Sequence, residues 1–158
     1  MGPVPWFALA AFGFLITGPC LKGVEATSCR KGWMSYGKYC YGFFPTKMSW
    51  YDAEIDCQSQ VTHGHLASIR SKGVEVMLAK YIKARQQDCQ NVWIGLQDDN
   101  RMGQWKWSNG SPTFYRFQGG QPIRSRKNEY CAVLPCDKGY LEWGSQHCDT
   151  NNSYICQN

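Results

Sequence analysis

Among the side chains of this 158-residue chain that could do chemistry, the nine cysteines come first. That many thiols is unusual in a cytosolic protein, where they stay reduced, and ordinary in a secreted scaffold, where they pair. A cysteine held in a disulfide is no nucleophile. The three histidines, His63, His65 and His147, show no metal-ligand spacing. The carboxylates form no acid/base pair, and no glycine-rich phosphate loop occurs. Nothing here supports an enzyme. Polar and aromatic residues gather in the stretch 112–130, where Phe114, Tyr115 and Phe117 stand among Gln118, Gln121, Arg124, Arg126, Asn128 and Glu129. Aromatic faces can stack on a ligand's ring, while amides and guanidinium groups bond its polar groups. The same composition equally suits aromatics packed beneath a loop whose polar groups are merely solvated. Asp98, Asp99 and Glu142 could hold an auxiliary ion, and the plainer reading makes them exposed turn charges.

Nine is odd, and the N-terminus accounts for the extra thiol. Pro5 to Ile16 is an apolar run of signal-peptide length, too short for the roughly 20 residues that cross a bilayer. Val24-Glu25-Ala26 offers small apolar residues at a cleavage site. Cleavage after Ala26 makes 1–26 a signal peptide, discards Cys20 and leaves 27–158 as one secreted, extracellular domain. The formal charge of +5 is too small to argue nucleic acid, and no later segment suggests membrane insertion. The dense basic run Arg124-Ser125-Arg126-Lys127 reads first as a solvated loop, second as a patch for sulfated glycans or anionic lipid. Asn151-Asn152-Ser153 is an N-glycosylation sequon. Asn109-Gly110-Ser111 is another, with Pro112 behind it making use less favourable.

The elements that would position these residues follow from local patterns. Aromatic-rich runs on either side of Gly37-Lys38 predict a small hairpin within Cys29–Phe44. Ser49 caps a helix that places Trp50, Ala53 and Cys57 on one face, with Asp52 able to reach back to the free backbone N–H. A second helix opens at Ser71, and Val74, Met77, Leu78, Tyr81 and Ile82 form its apolar stripe. Strands are predicted at Val92–Leu96, Trp105–Trp107, Cys131–Leu134, Tyr140–Trp143 and Tyr154–Cys156. Two helices followed by several strands indicate a single α+β domain.

These landmarks resemble the C-type lectin-like domain over residues 29–156. Trp93-Ile94-Gly95-Leu96 matches its WIGL signature. Gly64-His65-Leu66-Ala67-Ser68-Ile69, Trp105-Lys106-Trp107-Ser108-Asn109-Gly110 and Cys131, Trp143, Cys148 and Cys156 stand in the family's order. The pair Cys29 and Cys40 looks like the N-terminal hairpin of the long form. Cys40-Tyr41-Gly42-Phe43-Phe44 and His65–Ile69 look most like the regenerating-islet (Reg) group, and the single-domain architecture also resembles lectins of snake venom and eggshell. The resemblance implies two helices with antiparallel sheets, a long loop region and three disulfides, Cys29–Cys40, Cys57–Cys156 and Cys131–Cys148. Cys89 and Cys136 are left over. They would meet if the Val92 and Cys131 strands pair antiparallel, as in the family fold; otherwise they could link two chains, so a monomer and a disulfide-linked dimer both stay open.

The family's calcium site uses a Glu-Pro-Asn or Gln-Pro-Asp tripeptide, a Glu before the Cys, and an Asn-Asp pair after a Trp. Here the tripeptide is Gln121-Pro122-Ile123, Glu129 matches the downstream Glu, and Gly144-Ser145 follow Trp143. Gln121 and Glu129 are the remnants of a shell that needs about six to eight oxygens. The resemblance therefore implies that calcium-dependent sugar binding is lost and no cofactor is required. Reg-like relatives suggest calcium-independent recognition of mannan-type or other polysaccharides, with Phe114, Tyr115, Gln121, Arg124, Arg126, Asn128 and Glu129 as candidate contacts. The alternative is a protein-binding ligand or toxin-like subunit acting on a receptor or haemostatic factor. Mineral binding is a weaker third, because the chain lacks acidic runs.

Overall fold

The computed structural model describes residues 29–113 and 127–158, with Gly2 standing apart. The expected signal peptide and the segment 114–126, with Phe114, Tyr115, Gln121, Arg124 and Arg126, lie outside the described residues.

The chain begins with the expected hairpin, β1 (Met34–Tyr36) and β2 (Tyr39–Met48). Gly37 turns it at a φ of 61°, a conformation that costs glycine nothing. Gly42 on β2 has a different role. A Cβ there would stand 2.4 Å from the Trp33 ring, so the indole can lie on the strand only because the side chain is missing.

Two serine-capped helices follow. Ser49 Oγ accepts from Asp52 N at 3.2 Å at the head of α1 (Trp50–Gln60). Asp52 does not reach back to the backbone; its carboxylate accepts from the Ser49 hydroxyl at 2.7 Å. Ser71 caps α2 (Lys72–Arg85), accepting from Val74 N at 3.3 Å. The buried stripe is Val74, Leu78, Tyr81 and Ile82, with Ala79 beside it and Met77 only partly covered.

The strands form one mixed sheet ordered β1, β2, β8 (Asn152–Gln157), β4 (Val92–Gln97), β6 (Cys131–Leu134), β7 (Gly144–Gln146). β3 (His65–Leu66) pairs with β8, and β5 (Lys106–Trp107) with β4. The pairings are antiparallel except β4 with β8, which run parallel with Val92 opposite Ser153. β4 explains its own unbroken apolar run, because both its faces are covered. Val92, Ile94 and Leu96 join the core under α2, while Trp93 joins the core under α1 with Trp50, Cys57, Val133 and Tyr154. That is the two-residue period of a strand expressed as two cores.

Tyr140–Trp143 is not a strand. A 3-10 turn at Cys136–Lys138 leads to Gly139 and Tyr140, both left-handed at φ 64° and 62°, and extended pairing starts only at Gly144. The aromatics are nonetheless buried, and the Tyr140 hydroxyl donates to Gln90 O at 3.2 Å. They anchor a loop, which their apolar pattern alone does not distinguish from a strand.

Four disulfides close the fold: Cys29–Cys40, Cys57–Cys156, Cys89–Cys136 and Cys131–Cys148. The leftover pair meets within one chain. The antiparallel register of β4 on β6, with Val92 opposite Leu134, brings the segment just before one strand beside the segment just after the other, and Cys89 and Cys136 lie Cα to Cα 5.4 Å apart. On non-reducing gels the protein should run as a monomer, and peptide mapping should join Cys89 to Cys136; a covalent dimer that collapses on reduction would show an interchain link.

Glu54 is a buried charge, 8% exposed, on the inner side of α1. One carboxylate oxygen contacts His65 Nδ1 at 2.6 Å and accepts from Gln58 Nε2 at 2.9 Å. The other accepts from Leu66 N and from Ser108 Oγ, both at 2.9 Å. Glu54→Ala should lower stability by about 1–3 kcal/mol for each donor orphaned in the interior, read by urea unfolding.

Burial pushes the Tyr41 hydroxyl up from 10.0 to about 12, against the weaker opposite pull of the Arg70 guanidinium. The raised value favours the neutral form in the fold. The unfolded chain releases this proton first as pH rises past 10, so stability is intact below that pH and is lost progressively towards 12. Tyr41→Phe should flatten that decline in rapid unfolding measurements between pH 9.5 and 12, relative to wild type.

Candidate functional site

Of the seven predicted contact residues, Asn128 and Glu129 are within the described structure, at the turn leading into β6. Although adjacent, they serve different surfaces. Asn128 takes a left-handed backbone at φ 68°, and the chain changes direction there before Glu129.

Glu129 lines a shallow depression of about 460 Å³ with Val133, Pro135, Trp143, Gly144 and Ser145. Its partner is set by the β6–β7 register, in which Ala132 faces Ser145. From that position Ser145 Oγ donates to Glu129 Oε2 at 2.9 Å. The hydroxyl occupies the place where the family pattern has an Asp, and it satisfies the carboxylate with a hydrogen bond instead of sharing a cation with it. Calcium takes about six to eight oxygens. Among the described residues no three His, Cys, Asp or Glu side chains are grouped to hold a metal ion, and Glu129 with Ser145 falls well short of a calcium shell. Gln121, the other remnant of the family pattern, lies outside the described residues.

Asn128 lines a separate cleft of about 190 Å³ between the head of α1 and the 98–104 loop, together with Tyr51, Asp99, Arg101, Tyr130 and Asp149. The reading of Asp98 as an exposed turn charge is corrected here. It is 2% exposed, and its carboxylate accepts from Gly103 N at 2.7 Å and Gln104 N at 3.0 Å, so it is the internal anchor of that loop. Asp99 and Glu142 are exposed. The Arg101 guanidinium lies 5.1 Å from the Tyr130 ring centre.

The histidines are dispersed among different tasks. His65 serves Glu54, His147 sits 3.4 Å from Asp149 on the surface, and His63 occupies a left-handed turn. Ser108, Glu54 and His65 do meet, but the carboxylate lies in the middle and takes the hydroxyl proton donor itself. This is a structural clasp joining α1, β3 and the end of β5. Of the two sequons, Asn151 is exposed just before β8, whereas the Asn109 amide donates to Ser68 Oγ at 3.1 Å.

Residue-by-residue reading missed the Ser145–Glu129 bond, because it depends on cross-strand register. It also missed Tyr51, although that residue falls off the buried stripe of α1 and an exposed aromatic there was the available signal.

Comparison with known proteins agrees with this geometry. Residues 46–158 match the family model described as the lectin C-type domain. A C-type lectin, mannose-binding isoform, from Oxyuranus scutellatus is 36% identical over 152 residues, covering 96% of each chain. The human lithostathine structure superposes with a TM-score of 0.75 at 31% identity, over 84% of this chain and 92% of that one. Ovocleidin-17, a major protein of the Gallus gallus eggshell calcified layer, gives 0.70 at 28% identity, over 82% and 98%. The family-model match and a relative this similar over nearly the whole chain decide the membership: the chain belongs to the C-type lectin domain family.

Proposed function

We propose that this protein is a secreted lectin that recognises carbohydrate, of mannan or related polysaccharide type, without depending on calcium. The observation that carries the reading is the Ser145 hydroxyl bonded to Glu129, which gives the carboxylate a neutral partner where the family pattern would share a cation. Glu129 is the proposed acceptor for a sugar hydroxyl at this surface. The loop residues Phe114, Tyr115, Gln121, Arg124 and Arg126 supply stacking faces and further donors, and Asn128 lies at the loop's base.

Secretion fits four disulfides, which persist in oxidising compartments. It also fits the apolar segment within 1–26 as a signal peptide. No helix among the described residues is long and apolar enough to cross a membrane. Asn151 is the proposed glycosylation position, exposed ahead of β8.

Binding to immobilised mannan and to a glycan array should persist in EDTA, and calorimetric titration with calcium should give no saturable heat. Glu129→Ala should weaken glycan binding about tenfold, as expected for one lost hydrogen bond to a charged group. Abolition of binding by EDTA would overturn calcium independence. Absence of any glycan signal together with a saturable protein partner would favour the protein-ligand reading instead.

A further inference from the structure

The cleft beside α1 lies apart from the Glu129 depression and has the features of a binding site in its own right. We propose that it seats a single saccharide ring against Tyr51, as a second glycan contact; this rests on the reading of the protein as a lectin.

Tyr51 is the central observation. Its side chain is 50% exposed, yet its position is set from two sides. Gln97 Nε2 donates to its hydroxyl at 2.7 Å, and it meets the Trp50 ring edge to face at 5.4 Å and 83°. An exposed aromatic already fixed loses little freedom when a ligand packs on it, which favours binding. Elsewhere in the cleft wall Tyr130 carries the Arg101 guanidinium, an amphipathic surface of apolar ring and fixed charge.

Around these rings stand Asp99, Asn128 and Asp149, two carboxylates and an amide able to take or give hydrogen bonds to vicinal hydroxyls. The frame is rigid. Asp98 ties the 98–104 loop through two backbone N–H groups, and Asp98 N donates to Tyr130 O at 2.9 Å. The Cys131–Cys148 bridge joins the strand after Tyr130 to the segment that ends the cleft.

Size and polarity select the ligand class. At about 190 Å³ the cleft is smaller than the roughly 300–1,000 Å³ of sites for drug-sized molecules, so it suits one ring rather than an oligosaccharide. Both oxygens of its one buried carboxylate are already taken by backbone donors, which disfavours a metal ion as occupant.

The test is a ¹⁵N NMR titration of the oxidised full-length domain with methyl α-mannoside and with N-acetylglucosamine, in EDTA. Amides near Tyr51, Asp99, Asn128 and Tyr130 should shift saturably with at least one of the two sugars. Tyr51→Ala should weaken that binding about tenfold, and Tyr51→Phe should keep most of it, since the ring face survives. Glu129→Ala should leave the cleft shifts in place. Saturable shifts confined to Glu129 and Ser145, or wild-type affinity in Tyr51→Ala, would overturn the second site while leaving the lectin reading intact. No saturable shift anywhere with either sugar, alongside a silent glycan array, would overturn both.

Discussion

The fold depends on the antiparallel pairing of its first long strand with its last. Cys40 and Asn158 exchange both backbone hydrogen bonds at 3.2 Å, and the register continues from Tyr41 opposite Gln157 to Phe44 opposite Tyr154. Cys57–Cys156 then fixes the first helix to that last strand across 99 positions of sequence. Nearly everything between is an excursion from this closed base, so the entropy of ordering it is reduced before any of its own contacts form. In the chain-entropy model a loop of that order is worth about 4.7 kcal/mol. The excursion can therefore afford irregular backbone, which is where both candidate binding surfaces lie.

Glu54 holds the excursion to the base. A buried carboxylate is costly unless its lone pairs are used, and here four donors or partners come from α1 itself, from β3 and from the residue after β5. Elements that share little sheet pairing are thereby given one mutual position. Ser68, Asn109 and Gln157 form a second, neutral network close by, with Gln157 Oε1 accepting from both Ser68 N and Ser68 Oγ. Local hydrogen bonding thus does for the loop region what extended pairing does for the sheet.

How much of this was legible in the sequence follows the range of each interaction. Ser49 and Ser71 cap their helices through bonds three residues long, and both helices begin where those serines predict. The stripe on α2 and the solid apolar run of β4 announce burial on one side and on two. The WIGL and cysteine landmarks carried the family and three of the bridges, while the partner of Cys89 stayed open until the β4–β6 register brought it to Cys136. The failures have longer range or unusual backbone. Tyr140 looks like a strand residue until its positive φ is known. Asp98 looks like a turn charge until the N–H groups of Gly103 and Gln104 converge on it. Asn128 and Glu129 look like one site, although a single left-handed residue sends them to two. Five further contact candidates fall in 114–126, outside the described residues.

The bridge pattern also governs what a protease could achieve. The basic run 124–127 offers trypsin-like enzymes their preferred residues, and it lies inside the spans closed by Cys57–Cys156 and Cys89–Cys136. A backbone cut there yields two polypeptides that remain covalently joined at both bridges. Each contributes strands to the same sheet, β4 from one and β6 from the other. Nicking would convert the protein into a two-chain molecule without dismantling it, and only reduction would release the pieces.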